Sequence, residues 1–248
     1  MKVAGVIPAR WGSTRFPGKS LAVLCGKPLI QWVYEQASRA EQLDSLIVAT
    51  DDERIQTGVT SFGGKTVMTR TDHPSGTDRA AEAIGSAECD VVVNIQGDEP
   101  FIEPLLIDQL VEVMRSESQW DMATAAVRTS DITEIRQPSV VKVVVDGENR
   151  ALYFSRSVIP FDRDGGHTEG EVSYLRHVGI YAYRRHFLER FVKTPPCANE
   201  QVERLEQLRA LHIGAAIKVV ETGCAGVGID TPEDLENATR QMQEIKKP

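Results

Sequence analysis

The chain has 248 residues, 41% hydrophobic and 26% charged, an ordinary globular mixture large enough for one α/β domain or two small ones. A formal net charge of -8 argues against a general affinity for nucleic acid or for an anionic membrane, and no apolar run approaches the roughly 18 to 20 residues of a membrane helix. The N-terminus lacks the basic region, apolar run and cleavage site of a signal peptide, and Cys25, Cys89, Cys197 and Cys224 lie far apart without CxxC or metal-type His spacing, so a cytoplasmic protein with reduced thiols is expected.

VAGVIPA (3–9) reads as a buried strand and runs directly into a loop holding Arg10, Arg15 and Lys19 among Gly12, Pro17 and Gly18. Three cations in such a loop, within an acidic chain, point to a small anionic ligand held locally. PLIQWVYEQASRA (28–40) reads as a helix with Pro28 in its first turn. SLIVATD (45–51) follows as a strand, DDERIQTGVTSF (51–62) as a short helix and KTVM (65–68) as a strand after a Gly-Gly turn. SGTDRAAEAIGSA (75–87) reads as a helix capped by Ser75, and DVVVNIQGDEP (90–100) as a strand ending in acids. Unbroken rather than alternating hydrophobicity means strands covered on both faces, and with helices between them the sheet should be mostly parallel with right-handed crossovers. Ligands bind such sheets at the carboxyl ends of the strands, so the opening loop and the GDEP segment should share one crevice.

The middle of the chain differs. MATAAV (122–127), VVKVVVD (140–146), ALYFSRS (151–157) and LRHVGIYAYRR (175–185) suggest several strands, some antiparallel, with few helices. Asp164-Gly165-Gly166-His167 reads as a flexible loop. EQVERLEQLRALHIG (200–214) reads as one amphipathic helix ended by Gly214, IKVVE (217–221) as a strand, and TPEDLENATRQMQEI (231–245) as a final helix capped by Thr231. With no repeat or convincing linker, a single domain over 1–248 with a middle excursion at roughly 122–195 is expected.

Three segments carry candidate chemistry. In the opening loop, Gly12 and Gly18 let backbone N–H groups approach a ligand, Arg10 and Arg15 offer planar forks, and Lys19 offers a point charge. The GxxxxGK[ST] spacing of a Walker loop is missing; the competing reading is a solvated connector. Asp98 and Glu99 follow the apolar VVVNIQG, where a carboxylate is costly to desolvate unless a cation meets it. Oxygen ligands without nearby His or Cys favour Mg2+ over zinc, although Asp98 could instead cap a turn into a helix near Pro104. Asp230 follows the short apolar GVGI (226–229), read as a strand, and could lie beside Asp98. Two carboxylates facing a cationic loop outline a metal-assisted phosphoryl or nucleotidyl transfer site. Glu233 and Asp234 occupy a helix's first turn and take a structural role, and Gly223, Gly226 and Gly228 lack the spacing of a dinucleotide motif.

Taken together, IPARWGSTRFPGK, SGTDR, NIQGDEP, ALYFSRS, RHVGIYAYR, LEQLR and DTPEDL resemble, in order and spacing, the CMP-Kdo synthetases, or 3-deoxy-manno-octulosonate cytidylyltransferases. The loop and the acid are shared with the wider sugar nucleotidyltransferases, whereas FSR, RHVGIY and LEQLR narrow the resemblance to the Kdo type. It implies an α/β, Rossmann-like nucleotidyltransferase fold, a mostly parallel mixed sheet flanked by helices, with a smaller middle subregion for dimerisation. It also implies a homodimer that converts CTP and Kdo into CMP-Kdo and pyrophosphate with Mg2+, for lipopolysaccharide synthesis.

On the same resemblance, Ala9, Arg10 and Lys19 hold the base and phosphates of CTP, with Ser13 and Arg15 in the same loop, and Ser75-Gly76-Thr77 lines the cytosine pocket. Asp98 and Asp230 bind the metal, and Arg10, Lys19 and Asp98 form the catalytic set. Arg15, Gln96, Arg156, Arg163, His177, Tyr181, Glu206 and Gln207 face the sugar acid. Trp11 stands where Tyr is common, and His73-Pro74 precedes SGT in a variable stretch. Taken singly, Arg156 also reads as a surface strand residue and His177 as a packed core histidine. Tyr181, alternating with Tyr183, also reads as a core face, and Glu206 and Gln207 as solvated helix positions. A cytidylyltransferase for a related acid sugar, such as 8-amino-Kdo, would keep the loop and acids and differ only around Arg163, His177 and Glu206. A non-catalytic nucleotide-binding protein on the same fold would lack the metal acids, yet Asp98 and Asp230 are both present.

Overall fold

The apolar run that opens the chain is β1 (Val3–Ala9), five of whose residues in succession are buried, in a computed structural model that describes residues 1–13, 15–85, 87–163, 173–223, 226 and 228–245. The chain forms two compact units, Met1–Asp108 with Gly226–Pro248, and Gln109–Ala225. In the first, β1 leads through the short hairpin β2 (Val23–Leu24) and β3 (Lys27–Pro28) into α1 (Leu29–Ala37). Leu29, Ile30, Val33 and Ala37 give α1 its buried stripe. Then come β4 (Ser45–Thr50), α2 (Glu53–Ser61), β5 (Thr66–Met68), α3 (Gly76–Ile84) and β6 (Val91–Asn94). The side chain of Asp52 caps α2 and that of Ser75 caps α3, each accepting a backbone N–H. Within this unit the strands run parallel in the order β6–β1–β4–β5, and the Val- and Ile-rich runs that predicted coverage on both faces are buried.

The chain enters the second unit within α4 (Pro104–Ser116). There β7 (Met122–Thr129), α5 (Ile132–Ile135), β8 (Lys142–Val145), β9 (Ala151–Ser155) and β10 (Tyr174–Arg184) precede α6 (Arg185–Val192), α7 (Ala198–Glu203), α8 (Gln207–His212) and β11 (Ile217–Glu221). β7 pairs in parallel with β11 and antiparallel with β10, and β8 pairs antiparallel with both β10 and β9, matching the mixed character expected of the middle. The last helix, α9 (Pro232–Ile245), belongs to the first unit. The Asp164–His167 stretch lies outside the described residues.

Two expectations are corrected. Residues 200–214 do not form one helix: α7 ends at Arg204, which adopts φ 54°, ψ 46°, and α8 restarts at Gln207. A buried ion pair explains the break. Arg209 bonds both oxygens of Glu200, at 3.0 and 2.9 Å, nine residues earlier in sequence. A continuous helix would separate those residues by about 13.5 Å along its axis. The Arg156 guanidinium takes up carbonyls at the break, Glu203 O at 2.8 Å and Arg204 O at 3.5 Å. Residues 228–230 are also not a strand. Ile229 is held instead by its N–H on Asp98 O, at 2.9 Å, and by burial with Leu24, Leu29 and Ala238.

Helix α6 went unread because its eight residues bury only Phe187, Leu188 and Phe191, too short a stripe to register beside the strand that precedes it. Phe191 is 1% exposed, stacks on Tyr183 and Phe187, and lies under the Arg209 guanidinium, 4.6 Å from its ring centroid. Phe191→Ala is expected to cost about 3–5 kcal/mol of stability, read as a lower urea midpoint. An unchanged midpoint would show that this cluster contributes nothing.

Candidate active site

The carboxyl ends of β1 and β6 open into a cleft of about 270 Å³ in the first unit. Two glycines permit the close approaches that shape it. Gly18 sits at φ 71°, and a Cβ there would lie 2.9 Å from the Trp11 ring. Its N–H closes the loop on Trp11 O at 3.0 Å, while the Arg54 guanidinium stacks 3.4 Å from the centre of the same ring. Trp11 thus serves as the inner wall of the loop. Gly97, just past β6, passes so near β1 that a Cβ would meet Pro8 O at 2.7 Å. The turn Lys19–Leu21 follows Gly18 and starts the Lys19 side chain from the loop's inner end.

At the centre lies an ion cluster. Lys19 Nζ donates to Asp98 Oδ2 at 2.5 Å and to Asp230 Oδ1 at 2.9 Å, with Ile229 O at 3.5 Å. Arg15 Nη2 donates to the other oxygen, Asp230 Oδ2, at 2.7 Å. Burial opposes the Lys19 charge, but the Asp98 carboxylate, followed by the hydrogen bonds to both acids, outweighs it and raises the ammonium pKa. Asp234 fixes Asp230 from behind, accepting the N–H groups of Asp230 and Thr231, while Thr231 Oγ1 accepts the Asp234 N–H. The acids therefore stand where the sequence placed them, but a capped irregular segment, rather than a strand, supports Asp230. Glu99 is not among the cleft-lining residues.

Ala9, Arg10, Ser13, Ser75, Gly76 and Gln96 line the same cleft. Arg10 is exposed, and its side chain makes no hydrogen bond or ion pair among the described residues. Thr77 turns inward: it is 2% exposed, and its Oγ1 accepts from Asn94 Nδ2 at 3.3 Å, tying the start of α3 to β6. The sequence reading missed Arg79, which is buried and lines the cleft. Its guanidinium bonds Asp51 Oδ2 at 2.7 Å, Thr69 Oγ1 at 2.6 Å and Arg70 O at 3.2 Å. The signal available was the Arg of SGTDR, one helical turn past Ser75.

The remaining candidates, Arg156, Arg163, His177, Tyr181, Glu206 and Gln207, belong to the second unit. Arg156 is engaged with carbonyls, including Pro138 O at 2.9 Å, and Arg163 is exposed. Glu206 accepts from Arg209 at 3.2 Å, and Gln207 is 4% exposed in α8. The His177 ring packs edge-on against Phe154 and beside Tyr181, with centroids 5.0 and 5.5 Å away. Thr124 Oγ1 donates to Ile180 O at 2.8 Å and lies 2.9 Å from His177 Nε2. Burial lowers the His177 pKa to about 3.

Parallel strands with a cationic loop, a capped helix start and two acids at their carboxyl ends define a nucleotidyltransferase. A family model described as Cytidylyltransferase matches residues 4–218, and the chain belongs to that family. It is 48% identical to the 3-deoxy-manno-octulosonate cytidylyltransferase of Pelobacter propionicus over 99% of both chains. It is 51% identical to that of Solibacter usitatus, over 96% of this chain and 94% of the relative. A solved structure of CMP:2-keto-3-deoxy-manno-octonic acid synthetase complexed with CTP superposes with a TM-score of 0.93 at 44% identity, covering 99% of this chain and 100% of that one. The resemblance read from the motifs thus holds over the full length.

Because the folded pKa of His177 lies below that of the unfolded chain, the unfolded state binds the extra proton. His177 should therefore favour folding above about pH 6.5 and progressively less as the pH falls toward about 3. The ring proton shifts of His177 in the folded protein should stay flat from about pH 8 to 5. Titration of that ring near pH 6.5 would refute the burial argument.

Proposed function

We propose that this chain transfers the cytidylyl group of CTP to 3-deoxy-manno-octulosonate, giving CMP-Kdo and pyrophosphate. Its relatives carry the name of that reaction, and one close structural counterpart was solved with CTP. The observation that carries the reading is the convergence of Asp98 and Asp230 on one cationic atom, facing the cation-bearing loop.

In this reading the anomeric hydroxyl oxygen of the sugar attacks the α-phosphorus of CTP. A phosphorus–oxygen bond to the sugar forms, the bond to the β-phosphate breaks, and the hydroxyl proton passes to solvent. Ala9, Ser13, Ser75 and Gly76 seat the nucleotide, while Thr77, turned away from the cleft, anchors that turn to β6. Arg10, without a partner among the described residues, meets the phosphate oxygens, and with Lys19 it balances charge on the departing pyrophosphate. No side chain is assigned as general base; positioning and charge supply the acceleration.

Mg2+ is part of the proposal, held by Asp98 and Asp230. The Lys19 ammonium marks the spot: two carboxylate oxygens and Ile229 O surround one positive centre, a set suited to a hard cation. Among the described residues no group of three or more His, Cys, Asp or Glu side chains is placed to hold a metal. Two acids with water and substrate phosphates completing the shell is the usual arrangement for Mg2+. When bound, the ion supplies Lewis-acid charge at the α-phosphate and lowers the pKa of the attacking hydroxyl.

In the second unit the positions proposed for the sugar acid are Arg156, Arg163, His177, Tyr181, Glu206 and Gln207. Arg156 is occupied by backbone carbonyls, so Arg163 is the cation better able to meet the Kdo carboxylate. His177, kept neutral, acts as a hydrogen-bonding group rather than a counter-ion. The proposal extends to a homodimer formed through the middle of the chain, working in the cytoplasm to feed lipopolysaccharide synthesis without nucleic acid or membrane partners.

Pyrophosphate release from CTP and Mg2+ with Kdo, 8-amino-Kdo or a sialic-type acid tests the assignment. Turnover is expected with Kdo, and turnover with the amino sugar alone would replace it. Asp98→Asn should lower kcat/KM by about 100-fold or more while circular dichroism stays unchanged; a folded variant of near-normal activity would remove Asp98 from the metal role.

A further inference from the structure

Two of the three loop cations are already committed within the cleft. Lys19 Nζ holds Asp98 Oδ2 and Asp230 Oδ1 at 2.5 and 2.9 Å, and Arg15 holds Asp230 Oδ2 at 2.7 Å. Two carboxylates are thus matched by two cations, and the cluster is formally neutral. The Lys19 side chain is only 16% exposed, so solvent screens its charge little. A divalent ion approaching Asp98 and Asp230 meets carboxylates already paired with cations, and the oxygens it needs face an ammonium that already occupies their point of convergence.

We propose that Lys19 is a positioning residue for the metal site: in the nucleotide-free protein it holds the two carboxylates converged, excludes divalent cations, and releases the oxygens when a triphosphate arrives. The inference rests on the cytidylyltransferase reading for the identity of the triphosphate. The phosphate oxygens compete for the same donors. Arg10 has no bond to break among the described residues and receives them first. Lys19, a point charge on a four-carbon stem, then reaches phosphate by side-chain rotation alone, and Arg15 follows from an exposed position. Once both cations turn to phosphate, the acids regain their net negative charge beside a nucleotide that also needs neutralising. Order follows from this exchange: the metal enters with the triphosphate or after it, never before.

The test is a Mn2+ titration of the whole protein, read as loss of the free-ion electron paramagnetic resonance signal, with neither nucleotide nor sugar present. Wild type should leave Mn2+ free where Lys19→Met and Lys19→Gln bind one equivalent about tenfold more tightly, or better. Adding Asp98→Asn to Lys19→Gln should abolish the gain. Arg15→Gln, at an exposed position where folding is not at risk, should show a smaller gain of the same sign. Nucleotide-free wild type binding Mn2+ as tightly as the folded Lys19 variants overturns the proposal, as does the absence of a gain in both Lys19→Gln and Arg15→Gln. Because Mn2+ uptake is read without turnover, failure of the CTP–Kdo assay would sink the substrate assignment and leave this inference standing.

Discussion

One ammonium organises the first unit's chemistry. Lys19 ties the opening loop to two acids that lie 79 and 211 residues further along the chain. That meeting depends on the parallel pairing of β1 with β6, which sets both strand ends side by side, and on Gly97, the residue small enough to pass Pro8 O. It depends equally on Gly18, whose left-handed backbone and missing Cβ let the loop fold under Trp11. Even half-burying a lysine is ordinarily costly, and here two carboxylates offset that cost while Lys19 keeps their like charges together.

The two units hold different kinds of polar group. The first presents cations, a capped helix start and acids around an open cleft, the means of handling phosphate. The second places its charged groups in service of its own backbone. Arg156 holds the carbonyls where α7 ends, Lys142 is fully buried and donates to Gln137 O, Val140 O and Arg156 O, and Arg209 pairs with Glu200 and Glu206. Burial lowers the Lys142 pKa, assisted by the nearby Arg156 charge. Such networks rigidify the strands and short helices that carry His177, Tyr181, Glu206 and Gln207.

Much of this was legible before any coordinates. The parallel strands of the first unit showed as unbroken apolar runs because burial on both faces leaves no alternation. The helix caps at Ser75 and Thr231 showed because capping is a local act of one side chain on nearby N–H groups. The cationic loop after β1 and Asp98 after β6 showed for a related reason: charge beside a covered strand has few uses other than meeting opposite charge. Residue order and composition alone therefore determined the fold class, the location of the cleft and, with the motif resemblance, the family.

Only the tertiary structure decided the rest, because the deciding partners are remote in sequence. The break at Arg204 follows from Glu200 and Arg209, which cannot meet along a continuous helix. Asp230 is held by Ile229 bonding back to Asp98, not by a strand. Arg79 is a cleft residue because Asp51 and Thr69 arrive beside it, and the neutrality of His177 rests on the burial of its ring. Local pattern records what a residue does to its neighbours in the chain; which charge ends opposite which is settled only when the strands are laid side by side.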